Sequence, residues 1–561
     1  MTVPEPSAGP AEPSAGAAEP SAGAAEPSAG AAEPSAGAAE PSAGPVAPSA
    51  GELAAQPLAP ASNVKSPVLT SSLQRLFRNA SLYGAGTLLV SLIGMVMDPV
   101  LSYRLNRADF GVVGLAATVT GMLSALYTFG LDSAAGRSWY DVATNEGARR
   151  RSIGTLNTFL LVWLLLLTAL QEWLGPGLYG HFLPGIPYAT YGRLIALALL
   201  FNALSAIPRA LWTASEDVRR LVGMRVAASL LGSALLYALL LCTHAGPMAV
   251  LIANAVTPVL LLWPFLRFGW GHFGFAWDRP SLRESLAFSL PMVVHMSSHW
   301  ALNAADRLVL ERLMHREAVG LYSAAYNAST AALITINLSI NGAYVPQFMR
   351  AHGKADQGPF VGRAITAFLG ASALATLGFI ALAPAVMRLV YSQNFTAAAD
   401  LLPPLCLGAF AQAFYLIAVN GLFHAKRTRL LPLLTLTAGI SNIALCFWWI
   451  PRFGLVGAAW ATTAAYVILA GLMILACASV TKLPWQIARL TRIGIIFAAG
   501  ATLAVGLGGR WTPWMDLLIG LAILVAAPMA LWATGFFTAE EKQWLLSRVG
   551  PWLGRRTQEM P

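Results

Sequence analysis

The chain has 561 residues, 56% of them hydrophobic and 11% charged, whereas an ordinary soluble domain is about a quarter charged. A soluble protein is therefore excluded. The formal charge of +10 does not signal nucleic acid either, because the basic residues are spread over short loops and line no single face.

Residues 1–70 carry an EPSAGAA repeat of period seven, with no Lys or Arg before Lys65 and almost no large apolar side chains. Such a Pro, Ala, Gly and Ser tract buries too little surface to offset its chain entropy, so a disordered tail is expected. It lacks the basic and apolar regions of a signal peptide and the apolar a and d positions of a coiled coil.

From residue 82 to residue 536 apolar runs recur, each of about 20 residues and long enough to cross roughly 30 Å of hydrocarbon as a helix. The expected fold is an all-α polytopic membrane protein with about 14 spans. The N-terminal flank and every second loop hold most of the Lys and Arg, among them Arg137, Arg149, Arg150, Arg151, Arg219, Arg220, Arg279 and Lys426. The alternate loops hold few, including Arg104, Arg107, Arg312 and Arg316. By the positive-inside bias both termini are cytoplasmic, which an even number of spans allows.

The first two helices carry Ser91, Asp98 and Ser102, then Thr120, Ser124, Tyr127 and Thr128. Asp98 lies deep, before Pro99, and an intramembrane carboxylate is a candidate for proton or cation coupling. Arg193 and Arg209 sit within the fourth helix. The seventh contains "HWALNAADRLVLERLMH", where His295, His299, Asn303 and Asp306 share one helical stripe. Such a stripe belongs on water, or bonds to neighbouring helices. HxxxH without a third ligand gives no metal site. Asp306 is expected one turn from the outer end, partly hydrated, and is the second candidate for ion coupling. Arg307 is expected to point elsewhere and to pair with Glu311 at i+4. Asn327, Thr330, Asn337 and Asn341 form one face of the eighth helix. Helices one, two, seven and eight are thus expected to line a shared aqueous cavity. Cys242, Cys406, Cys446 and Cys477 lie in apolar runs and read as small buried hydrophobes. No Walker A sequence, nucleophile elbow or HExxH helix is present, and no cofactor is implied.

The membrane region reads as a duplication. "RLNRADFG" from Arg104 and "RLMHREAVG" from Arg312 each follow a long apolar span. That register also sets Asp98 on Asp306, Arg219 on Arg427 and Gly246 on Gly454. The expected organisation is an N-lobe at 75–270 (helices 1–6), a C-lobe at 279–480 (helices 7–12), two further helices at 487–536 and a cytoplasmic tail at 537–561. Two pseudo-symmetric six-helix lobes of one orientation place a substrate site between them.

"YGAGTLLVSLIGMVMDPVLSYRLNRADFGVVGL" with "FGLDSAAGR" resembles the opening of bacterial oligosaccharide flippases of the polysaccharide biosynthesis family, in the multidrug/oligosaccharidyl-lipid/polysaccharide exporter superfamily. "SLPMVVHMSSHWALNAADRLVLERLMHREAVGLYSAAYN" is similar to that family's seventh helix, and "PRFGLVGAAWATTAAYVI" to its twelfth. The likeness covers about residues 75–535. It implies a V-shaped pair of lobes around a cationic cavity, in the bacterial inner membrane. The implied cargo is an undecaprenyl-diphosphate-linked oligosaccharide passed from the cytoplasmic to the periplasmic leaflet, with other polysaccharide assembly proteins as partners. Arg104, Arg107, Arg137, Arg193, Arg209, Arg307 and Arg312 are candidates for the diphosphate; His295, His299, Asn303, Asn327 and Asn337 complete the candidate cavity. Asp98 departs from the family pattern and keeps a multidrug or cation antiporter as the alternative. A polymerase or ligase is disfavoured, because the outer loops are short.

Overall fold

A computed structural model describes residues 67–141, 145–243, 245–351, 357–427, 430–543 and 547. The repeat tail up to residue 66 and most of the expected C-terminal tail lie outside the described residues. Among the described residues there is no strand. The first helix, α1 (Pro67–Arg104), starts earlier than the expected boundary at 75.

Next come α2 (Arg107–Thr128), α3 (Leu131–Asp141), α4 (Glu146–Phe182), α5 (Arg193–Leu204), α6 (Ala206–Ala214) and α7 (Val218–Cys242). A bent group, α8 (Pro247–Leu260), α9 (Leu262–Phe265) and α10 (Gly271–Phe273), leads into α11 (Arg279–Tyr326). The remaining helices are α12 (Ala332–Ala351), α13 (Gly358–Leu389), α14 (Leu402–His424), α15 (Leu431–Ala478), α16 (Ile487–Leu507) and α17 (Pro513–Ala533). Local chemistry sets several starts. The side chains of Asn106 and Asn145 accept the Asp109 and Ala148 amides at 2.8 and 3.0 Å, capping α2 and α4.

Among the described residues ten helices are long and apolar enough to cross a membrane, or eleven if the bent pair Pro247–Leu260 and Leu262–Phe273 is one span. The expected count of 14 is not reached on that measure. The polar α11 is not among the ten, and α15 counts once although Gly454 interrupts it (φ 59°, ψ −139°). The interruption in α11 is at His315 (φ 67°, ψ 175°). Gly246, which the duplication sets on Gly454, has nearly the same backbone (φ 55°, ψ −132°). Both positions need the left-handed region, which glycine enters without a Cβ penalty.

The long α11 packs against α2 and α15, and α14 lies on α15. One apolar core joins α2, α4, α5 and α8 to α11 through residues such as Leu115, Leu156, Leu199 and Tyr322. A second joins α11 to α13, α14 and α15 through Leu302, Leu369, Leu416 and Leu469. Cys406, Cys446 and Cys477 are buried as read from sequence, but Cys242 is exposed at the end of α7.

The last two helices leave most of their surface uncovered and dock on α13. Their latch is polar. Arg388 donates to Asp516 Oδ2 at 3.0 Å, to Trp511 O at 2.7 Å and to Gly509 O, while Asp516 is fully buried. Removing one partner of such a pair leaves a buried charge uncompensated. Arg388→Ala is expected to destabilise the α13–α17 contact by about 2–3 kcal/mol, read as a lowered unfolding temperature in detergent, with Arg388→Lys recovering only part of the loss.

Candidate functional site

The polar stripe of α11 faces a cavity of about 850 Å³. His295, His299 and Asn303 line it from α11, Ser124 and Thr128 from α2, Arg209 and Thr213 from α6, Arg225 from α7, and Tyr83 from α1. Arg209 donates to Asn202 O at 3.2 Å. Arg225 donates to the Tyr83 hydroxyl at 3.1 Å and stands over its ring, 5.6 Å from the centroid. Asp132 is the one acid among the lining residues, so the cavity carries a net positive charge set against two imidazoles. His295 Nδ1 lies 3.2 Å from Thr435 Oγ1, and His299 Nδ1 2.9 Å from Asn303 Nδ2.

A smaller cavity of about 280 Å³ continues toward the other end, sharing Gly121, Trp300 and Asn303 with the first. Here Asp98 meets Asn327, whose side chain hydrogen-bonds its carboxylate, and Arg307, Ser323 and Tyr326 complete the wall.

Asp306 and Arg307 do not behave as the sequence suggested. Asp306 is fully buried, not partly hydrated: its Oδ2 accepts from Tyr322 Oη at 2.5 Å and Thr462 Oγ1 at 2.9 Å. Arg307 does not pair with Glu311. Its backbone amide donates to Asp306 Oδ1 at 2.8 Å and its Nη1 lies 3.5 Å from the same oxygen. The guanidinium also donates to Ser323 Oγ at 3.3 Å and Asn303 O at 3.1 Å, and lies 4.3 Å from the Tyr326 ring centroid. A long helical side chain leans back toward its own N-terminus, and the break at His315 folds the following turns alongside to meet it. The result is a knot joining both arms of α11 to α15. Tyr326 and Tyr466 close it by donating to Asn303 Oδ1.

The other candidates are dispersed. Arg104 is exposed at the end of α1. Arg107 donates to Asn394 O at 2.5 Å. Arg137 pairs with Glu284 at 2.6 Å in a separate pocket shared with Arg151 and Ser281. Arg193 pairs with Glu172 at 3.3 Å. Asn337 is buried between helices, donating to Ala409 O and accepting from Ser372 Oγ, both at 2.8 Å. Thr330 and Asn341 likewise bond to α14. Thr330, Asn337 and Asn341 thus serve packing, while Asn327 lines the smaller cavity and Arg209, Arg225 and Asp132 line the larger one. Arg225 follows Arg219 and Arg220 by about a turn and a half, so in sequence it merges with a loop cluster.

At the Arg107 end the cavities are closed. Ser392 N donates to Ser102 Oγ at 3.0 Å, Tyr103 Oη reaches Tyr391 O at 3.5 Å, and the Phe110 and Phe395 rings pack 5.1 Å apart.

The helical fold is similar to those of several solved transporters. The lipid II flippase MurJ, in its inward closed conformation, aligns with a TM-score of 0.66 at 13% identity over 81% of this chain and 99% of its own. An inward-facing multidrug resistance MATE family transporter of the MOP superfamily aligns at 0.57, with 15% identity over 71% of this chain and 94% of its own. The MATE multidrug transporter DinF-BH aligns at 0.55 with 17% identity over 72% and 95%. At these identities the likeness is one of fold. No curated protein sequence matches the chain. Residues 76–352 match the model of the polysaccharide biosynthesis protein family.

Cysteine accessibility separates cavity from packing residues. In a Cys242→Ser background, His299→Cys and Arg225→Cys are expected to react with a charged thiol reagent, whereas Asn337→Cys stays unmodified. Equal protection of all three would show that the α11 stripe meets no water.

Proposed function

We propose that the protein flips an undecaprenyl-diphosphate-linked oligosaccharide from the cytoplasmic to the periplasmic leaflet of the bacterial inner membrane by alternating access. The observation that supports it best is the cavity of about 850 Å³ with Arg209 and Arg225 on its wall. A sugar head group cannot shed its water into hydrocarbon, because each unpaired polar group costs several kcal/mol. A wet cavity removes that barrier while the lipid tail stays outside. A diphosphate needs donors that stay charged, and guanidinium groups meet phosphate oxygens in bidentate fashion. On this reading the basic loops and both termini are cytoplasmic, the cavity faces the cytoplasm, and residues 75–270 and 279–480 act as two lobes. The matching backbones of Gly246 and Gly454 favour that duplication. Outward movement of an anion gains about 2.3 kcal/mol per charge per 100 mV of negative-inside potential. The chain acts as a carrier and not as an enzyme of the pathway, with other polysaccharide assembly proteins as its neighbours.

A second reading, a multidrug or cation antiporter, draws on Asp98, a carboxylate facing Asn327 in the smaller cavity.

Mass spectrometry of undecaprenyl-linked species from a strain lacking the gene, with a membrane-impermeant label reporting their leaflet, decides between the two. A defined lipid-linked oligosaccharide held on the cytoplasmic side is expected. If none accumulates and the strain instead becomes sensitive to cationic drugs, the antiporter reading replaces the flippase.

A further inference from the structure

The closed end has a symmetric core that the hydrogen bonds around it do not reveal. The first turns of α2 and of the second arm of α11 share the pattern Arg-x-x-x-Gly: Arg107 to Gly111 and Arg316 to Gly320. These segments cross in reciprocal contact. A Cβ built on Gly111 would overlap the Arg316 carbonyl and come within 3.2 Å of the Gly320 amide nitrogen. A Cβ built on Gly320 would overlap the Arg107 carbonyl and come within 3.0 Å of the Gly111 amide nitrogen. One turn on, Gly114 lies against the Ser323 side chain. Each glycine points a hydrogen at the opposite carbonyl, the geometry of paired Cα–H···O contacts between close helices. The crossing lies directly above Ser323 and Arg307, which wall the smaller cavity.

We infer that the reciprocal Gly111–Gly320 contact is the gate that closes the cavity at the Arg107 end, and that opening there requires α2 and α11 to part at this crossing. The inference rests on the alternating-access reading given above but needs no particular cargo. Two backbones without side chains between them pack tightly and leave no hole for water or ions. Around them, among the described residues, the closed state is held by Arg107 to Asn394 O, Ser392 N to Ser102, Tyr103 to Tyr391 O, and Phe110 on Phe395. A methyl group at either glycine should wedge the gate.

The test uses the full chain with Cys242→Ser and Ala117→Cys, because Ala117 is exposed on the wall of the smaller cavity, below the crossing. A charged maleimide is applied to right-side-out spheroplasts and, separately, to inverted vesicles. Without a glycine substitution, the introduced thiol is expected to react from one face only. With Gly320→Ala or Gly111→Ala it should react from both, its rate from the formerly silent face rising on the order of tenfold, as an overpacked contact in the closed state implies. Gly94→Ala, whose Cβ meets nothing within 4 Å, should leave the one-sided pattern unchanged. If the glycine variants do not fold, Arg107→Ala, which removes one peripheral bond of the same closure, gives the reading with a smaller rise. Labelling that stays one-sided in every folded variant overturns the gate. The readout needs no substrate, so failure to find a lipid-linked sugar leaves it intact.

Discussion

A charge inside hydrocarbon must be paired or reached by water, at a cost of roughly 2.5–3.5 kcal/mol or more if it is neither. That constraint arranges this molecule. Asp306 and Arg307 are buried and meet each other, two tyrosine rings, Ser323 and Thr462. Asp516 is buried and meets Arg388. Arg209 and Arg225 have no carboxylate partner at salt-bridge distance among the described residues, and both stand on the wall of the large cavity. The first two arrangements hold helices together; the third keeps charge available where water enters.

The break at His315 connects these roles. It turns α11 back on itself so that Tyr322, Ser323 and Tyr326 reach Asp306, Arg307 and Asn303. The same turn carries Gly320 onto Gly111. The knot therefore fixes the second arm of α11 relative to the first, while the stripe on the first arm faces the cavity. Asp98 and Asn327 lie on the wall of the smaller cavity, which Ser323 next to this crossing also lines.

Much of this was legible in the sequence. Apolar runs gave the all-α membrane fold, and the spacing of His295, His299 and Asn303 gave the cavity face of α11. The eighth-helix stripe of Asn337 and Asn341 misled, because helical period identifies a face but not what lies opposite it; here that is α14 and α13, not water. Arg307 was misassigned to Glu311 because i+4 spacing ignores a chain that folds back after a break, and nothing in "LMHRE" announces that His315 takes a positive φ. Arg225 was hidden by the loop arginines before it. Gly246 and Gly454, by contrast, were matched from sequence and share one unusual backbone.

The central claim is that the cavity lined by Arg209 and Arg225 is the path of a polar, anionic head group. Reconstitution tests it most directly. The purified chain is placed in proteoliposomes with a polyprenyl-diphosphate-linked oligosaccharide carrying a fluorophore on its sugar, and a membrane-impermeant quencher reports transfer between leaflets. Native protein is predicted to transfer the label, and Arg209→Gln/Arg225→Gln to do so at least about tenfold more slowly, because charge-assisted hydrogen bonds of about 1.5–3 kcal/mol each are lost. Transfer by the folded double variant at the native rate would contradict the account.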